Sequence, residues 1–218
     1  MTVHSKATGL RLLVLGATGA VGAQVLARAL QANQVAQVVA PTRRALPAHA
    51  KLLNPVVDFE ALDTQASWWQ VDCVVCALGT TLRAAGSQQA FARVDRDLVI
   101  QTATLARQHG ARALTLNSSL GASLSGNFYL QTKAQAEAGV AALGFDSYTI
   151  VRPSLIDAAR NPPRLGEQIG VATSRLLGRW VPARYRMVTA DQVAQALLDA
   201  ALKGLPGRHV VASEALHR

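Results

Sequence analysis

The chain reads as an α/β protein, a doubly wound parallel sheet covered by helices on both faces. Two observations predict this. From Arg11 onward, short apolar runs alternate with longer segments of helical period, an order that favours parallel strands joined by right-handed crossovers. A glycine-rich turn, Gly16-Ala17-Thr18-Gly19-Ala20-Val21-Gly22, joins the first apolar run to the first helical segment.

The elements follow in order. Arg11 to Gly16 is the first strand, and Ala20 to Gln31 carries Val21, Val25, Leu26, Ala29 and Leu30 on one helical face. Further strands are expected at Gln37–Thr42, Val56–Phe59 and Asp72–Gly79. Gln88 to His109 is one long helix stopped by Gly110. Ala113 to Ser119 is the fifth strand, Asn127 to Leu143 a helix ended by Gly144, and Tyr148 to Pro153 the sixth strand. Leu165 to Trp180 reads as a helix, Asp191 as the cap of another reaching Lys203, and His209 to Ala212 as a last strand.

With 218 residues, half of them hydrophobic, the chain suits a single domain, 1–218, with small substrate-side elements at about 154–190. Lys and Arg total 22 against 13 Asp and Glu, a net charge of +9. That balance suits an acidic ligand. The basic residues are dispersed, so nucleic-acid binding is disfavoured against a phosphate-bearing small molecule. No apolar run long enough to span a membrane occurs, and Met1 to Gly9 lacks the apolar core of a secretory signal. The expectation from this is a cytoplasmic protein with reduced thiols and no membrane contact, a monomer or homodimer.

Cys73 and Cys76 form a C-x-x-C within a predicted strand. Positions i and i+3 of a strand point to opposite faces, so the two thiols are expected neither to pair nor to share a metal.

The glycine-rich turn has the spacing of a Rossmann-type NAD(P)-binding fold. Gly16 allows a tight turn, Gly19 lets a pyrophosphate approach the backbone, and Gly22 lets the helix pack closely on the sheet. The helix N-terminus presents unpaired N–H groups to phosphate. After the second strand, where NAD-selective folds place an acid for the ribose 2′-hydroxyl, stand Arg43 and Arg44. Two guanidinium groups suit a 2′-phosphate, so the expected cofactor is NADPH/NADP.

Tyr129 and Lys133 form Y-x-x-x-K near the start of a helix, the only such pair among three tyrosines. The i,i+4 spacing sets both on one face, where the ammonium favours ionisation of the phenol. Upstream, Ser118 and Ser119 end the fifth strand on opposite faces, so one hydroxyl can hold a substrate oxygen, and Ser118 is favoured.

This order of motifs resembles the atypical short-chain dehydrogenase/reductases. Val56-Val57-Asp58-Phe59-Glu60, Ala77-Leu78-Gly79-Thr80-Thr81, Phe91 to Asp97 and Asn127-Phe128-Tyr129-Leu130-Gln131 are similar to the Tat-interacting-protein oxidoreductase family, from about residue 11 to 205. The resemblance implies cofactor contacts at Thr18, Gly19, Ala20, Val21, Arg43, Arg44, Leu78, Gly79, Tyr129, Lys133, Ile156 and Arg164. It also implies hydride transfer between the nicotinamide and a small carbonyl or alcohol substrate, with Tyr129 as proton carrier and Lys133 beside it. Related extended enzymes often carry Asn where Asp95 stands, and the long C-terminal substrate domain of sugar epimerases is not expected. The other reading of the same residues is an NADPH-binding regulatory or scaffold protein without turnover.

Overall fold

A computed structural model describes residues 9–157 and 182–217. Its main sheet has seven parallel strands in the order β3-β2-β1-β4-β5-β6-β9. The strands are β1 (Leu10–Leu15), β2 (Val35–Val39), β3 (Leu52–Leu53), β4 (Cys73–Cys76), β5 (Ala113–Asn117), β6 (Ser147–Arg152) and β9 (Gly207–Ala212), while β7 (Ile156–Asp157) and β8 (Val188–Thr189) form a separate parallel pair. The chain reverses its direction of travel across the sheet between β1 and β4, the switch point where such folds bind ligands at the carboxyl ends of the strands.

Strand alternation divides the core. Leu13, Leu15, Val74, Cys76, Leu114, Leu116 and Ile150 pack on one face. Leu12, Val14, Cys73, Val75 and Val151 pack on the other, with Val21 and Val25 of α1 (Ala20–Gln31) and Val193 and Leu197 of α6 (Ala190–Lys203). The two cysteines are buried, free and on opposite faces. Burial pushes the Cys73 thiol up to about 12 and Cys76 to about 11.

On the first face the expected long helix is built in pieces. A short α2 (Leu82–Ala85) precedes α3 (Gln88–Ala92), which runs through a π turn at Arg93–Asp97 into α4 (Leu98–Gln108). Beside it lies α5 (Phe128–Ala141), capped by the Asn127 side chain accepting from Leu130 N–H at 3.0 Å.

Two expectations change. The strand expected at Val56–Phe59 is centred earlier, at Leu52–Leu53, and Val56 keeps only an isolated bridge to Thr42. Pro55 has no N–H to give the ladder, and the Asn54 side chain donates to Ala40 O in its stead at 2.5 Å. The cap of α6 is Thr189, not Asp191: Thr189 Oγ1 accepts from Gln192 N–H at 3.1 Å, and Gln192 Oε1 accepts from Thr189 N–H at 2.9 Å. Asp191 instead receives Arg28 Nε and Nη2 at 2.9 and 2.7 Å, tying α6 to α1. The helix expected at Leu165–Trp180 lies outside the described residues, as does most of the segment at about 154–190.

Candidate active site

The Gly16–Gly22 turn sits at the switch point, and its three glycines answer to different demands. Gly16 has φ +81°, and a Cβ there would lie 2.5 Å from Ala77 O and 2.9 Å from Leu78 N. The end of β4 thus crosses directly over the turn. At Gly22 a Cβ would lie 2.1 Å from Gly16 O, a collision with backbone. Gly19 differs: its φ of −80° is ordinary, and a Cβ would meet only Gly16 O, at 3.3 Å. The protein itself makes the weakest demand for glycine at 19, while an approaching pyrophosphate would make a strong one. Thr18, Gly19 and Ala20 are exposed, α1 has no side-chain cap, and its first turn holds no acid. Its N–H groups and partial positive charge are therefore left for an anion. Val21, expected to touch the cofactor, is buried with its side chain in the core, so any such contact is through its backbone. The cradle fits a dinucleotide pyrophosphate.

Arg43 and Arg44 follow β2 and are exposed. Neither takes part in an ion pair among the described residues. Their loop is nonetheless held: buried Thr42 donates from Oγ1 to Arg44 O at 2.6 Å and accepts from Asn54 Nδ2 at 2.8 Å. Asn54 Oδ1 accepts from Leu46 N–H at 2.7 Å. A hydrogen-bonded loop thus carries two exposed guanidinium groups just beyond β2, neither in an ion pair among the described residues.

On α5, Tyr129 is half-buried against Phe91, ring centroids 5.5 Å apart. Lys133, one turn on, is only 7% exposed. This is no surface pair: Lys133 Nζ lies 2.7 Å from Asp95 Oδ1, and Asp95 is 1% exposed. The approach is close but off the hydrogen-bond directions, so it counts as an ion pair. Asp95 Oδ2 accepts from Thr80 N–H at 2.8 Å. A Cβ on exposed Gly79 would lie 3.3 Å from Asp95 Oδ1 and 3.7 Å from Lys133 Nζ, which sets the ammonium against the backbone just beyond β4. Leu78, the preceding residue, is buried in the core.

The serines are placed otherwise than the sequence favours. Ser118 is 5% exposed and its Oγ donates to Glu137 Oε1 at 2.5 Å. Glu137, itself 2% exposed, also receives Arg152 Nε at 2.9 Å, and its main-chain oxygen receives the Tyr148 hydroxyl at 3.1 Å. Burial, then the Glu137 carboxylate, pushes the Tyr148 phenol up, while the Glu137 hydrogen bond raises the Arg152 guanidinium. Ser118 therefore belongs to an interior network joining β5, α5 and β6. Ser119 is half-buried, and among the described residues its Oγ makes one long contact, to Leu120 O at 3.4 Å.

Ile156, half-buried, pairs with Val188 across β7 and β8. Arg164 lies outside the described residues. Among the described residues no group of three or more His, Cys, Asp or Glu could hold a metal ion, and no helix is long and apolar enough to cross a membrane. Asp95 and Glu137 were not among the residues the sequence singles out for the site. The departure from Asn at 95 was the only signal, and nothing local marks Glu137.

The sequence profile of the NAD(P)H-binding family matches residues 16–203. Protein HTATIP2 of Rattus norvegicus is 40% identical over 162 residues, which are 72% of this chain and 66% of the rat protein. Protein FMP52, mitochondrial, of Candida albicans is 30% identical over 205 residues, 89% of either chain. Among solved structures, MoeE5 in complex with UDP-glucose and NAD aligns with a TM-score of 0.69 at 17% identity, over 93% of this chain and 75% of that one. UDP-glucuronic acid 4-epimerase from Bacillus cereus in complex with NAD aligns at 0.68 and 13% identity, over 93% and 77%. These two likenesses show the Rossmann fold. The relatives also correct the cytoplasmic expectation, since the FMP52 proteins of Candida albicans, Emericella nidulans and Eremothecium gossypii are named mitochondrial. An apolar-run test detects secretory and spanning segments, whereas mitochondrial addresses are amphipathic and need no such run. The chain belongs to the NAD(P)H-binding family, in the atypical short-chain dehydrogenase/reductase branch that includes HTATIP2 and the FMP52 proteins.

Proposed function

We propose that this protein is an NADPH-dependent oxidoreductase acting on a small carbonyl or alcohol substrate. The observation that carries the reading is the burial of Lys133 beside Asp95 and Gly79. An i,i+4 Tyr/Lys pair on a solvated helix face has no chemistry to perform; one whose ammonium is held against the carboxyl end of β4 lies beside the cradle for a dinucleotide. The preference for NADPH is supported by Arg43 and Arg44, two exposed guanidinium groups that take part in no ion pair among the described residues.

A dinucleotide held by the Gly16–Gly22 turn would supply the hydride that converts a carbonyl carbon to an alcohol carbon. Tyr129 O–H donates the proton to the carbonyl oxygen, and the reverse reaction returns it. Lys133 stabilises the phenolate so formed and holds a ribose hydroxyl. Ser119, whose hydroxyl is free of the Glu137 network, orients the substrate oxygen by donating to it. Phe91 supports the Tyr129 ring from the interior. The mitochondrial relatives make the mitochondrion the compartment to examine first.

Following NADPH oxidation across aldehydes, ketones and quinones tests the reading. The parent protein should turn over at least one, and Tyr129→Phe should lower that turnover by about 10²-fold, the scale of a positioned acid–base group, while still binding NADPH. No turnover across the panel, with NADPH bound tightly, favours the regulatory reading. Equal rates in parent and mutant remove Tyr129 from the reaction.

A further inference from the structure

We propose that Asp95 is a positioning residue that acts through Lys133, holding its ammonium for the dinucleotide and for Tyr129. The inference rests on the function read above, which assigns Lys133 those tasks.

A buried carboxylate is heavily disfavoured unless it is both paired and hydrogen-bonded. Asp95 is 1% exposed, and each of its oxygens has one task. Oδ2 takes the Thr80 N–H at 2.8 Å, which fixes the carboxylate to the loop after β4. Oδ1 meets the Lys133 ammonium at 2.7 Å. The carboxylate is thus anchored at one end to the element carrying the dinucleotide-side backbone, and at the other to the helix carrying the Tyr/Lys pair.

The helix that delivers Asp95 departs from α-geometry at this place. The π turn spans Arg93–Asp97 with Asp95 at its centre. Single π turns interrupt a helix's regular bonding and recur at functional sites. This one is latched to α5 by Arg96 Nη1, which donates to Gln135 Oε1 at 2.9 Å, while Arg96 Nε pairs with Asp97 Oδ1 at 2.7 Å. The ion pair and the latch join the same two elements, one inside and one nearer the surface.

An ammonium has three N–H donors. With one side engaged by Asp95, the rest of the head serves the Tyr129 oxygen and a ribose hydroxyl. Without the carboxylate the four-carbon stem would leave the head free to rotate, and a buried cation would stand uncompensated. The nearby Cys76 thiol, held neutral by burial, offers it no charge.

The test is a double-mutant cycle on NADPH affinity, measured by calorimetry on the full chain, using the parent, Asp95→Asn, Lys133→Met and the double variant, with melting curves for each. The asparagine keeps the shape and can still accept from Thr80 N–H. Asp95→Asn should weaken NADPH binding about tenfold when Lys133 is present and hardly at all when Met stands at 133, the non-additivity expected of residues in contact. A residue with only a structural role would lower the melting temperature in both backgrounds and change affinity by the same factor in each. That result, or an unchanged affinity in Asp95→Asn, overturns the proposal. Should Asp95→Asn not fold, Asp95→Glu, which keeps the charge but displaces it, takes its place with the same outcomes. A parent protein that binds no NADPH overturns the proposed function and this inference together; a parent that binds it without coupling between the two positions overturns this inference alone.

Discussion

Ser118 Oγ lies 2.5 Å from Glu137 Oε1, both groups buried, and this bond separates the two serines by role. Ser118→Ala leaves a buried carboxylate short of one donor, at a cost of roughly 1–3 kcal/mol, so the melting temperature should fall. Ser119→Ala should leave the melt nearly unchanged and lower turnover. A Ser118→Ala variant with parental stability and impaired catalysis would restore Ser118 to the substrate side.

The glycines of the turn make a matched pair. Gly22→Ala drives a Cβ to 2.1 Å from Gly16 O, so backbone must move; overpacking of this kind costs about 1–3 kcal/mol or more. Gly19→Ala meets one backbone oxygen at 3.3 Å and should keep most of the parental stability while losing NADPH affinity by roughly tenfold or more, since a methyl group would stand where phosphate approaches. Thermal melts and calorimetry on both variants separate the effects. Unimpaired dinucleotide binding in Gly19→Ala would contradict the cradle.

NADPH should bind more tightly than NADH. A charged hydrogen bond contributes on the order of 1.5–3 kcal/mol, so a gap of about tenfold to a hundredfold is expected, and Arg43→Ala or Arg44→Ala should narrow it chiefly by weakening NADPH. Calorimetric titration of both dinucleotides measures it, and equal affinities in the parent would remove the basis for the preference.

The cysteines should be inert. Burial raises Cys73 to about 12 and Cys76 to about 11, and the thiolate is the reactive form. At neutral to mildly alkaline pH alkylation of the folded protein should be slow at both positions, and mild oxidation should yield no disulfide between them. Mass spectrometry of native protein reads both; an intramolecular disulfide would contradict the opposite-face placement of the two side chains.

The alternation of apolar strand and amphipathic helix was enough to identify a doubly wound sheet, because period and turn chemistry are properties of neighbouring residues. The same holds for the Gly16–Gly22 turn, for α1 at Ala20–Gln31, whose bounds the helical spacing predicts, and for the Tyr129/Lys133 spacing. Pro55 beside Asn54 moved the third strand, since the missing N–H is local while the side chain replacing it is committed to Ala40, just beyond β2. Thr189 capped α6 and left Asp191 for Arg28, a partner that only the packing of α1 on α6 supplies. Alternation predicts that Ser118 and Ser119 diverge, but β5 ends at Asn117, and Ser118 is held inside by Glu137 from α5, which Arg152 from β6 also engages. Lys133 was legible as half of an i,i+4 pair with Tyr129; its carboxylate partner was not, because Asp95 reaches it from a different helix through a π turn. Local sequence sets torsion, period and cap, whereas the pairing of buried charges is decided only when separate elements close on one another and exclude the water that would otherwise solvate each charge.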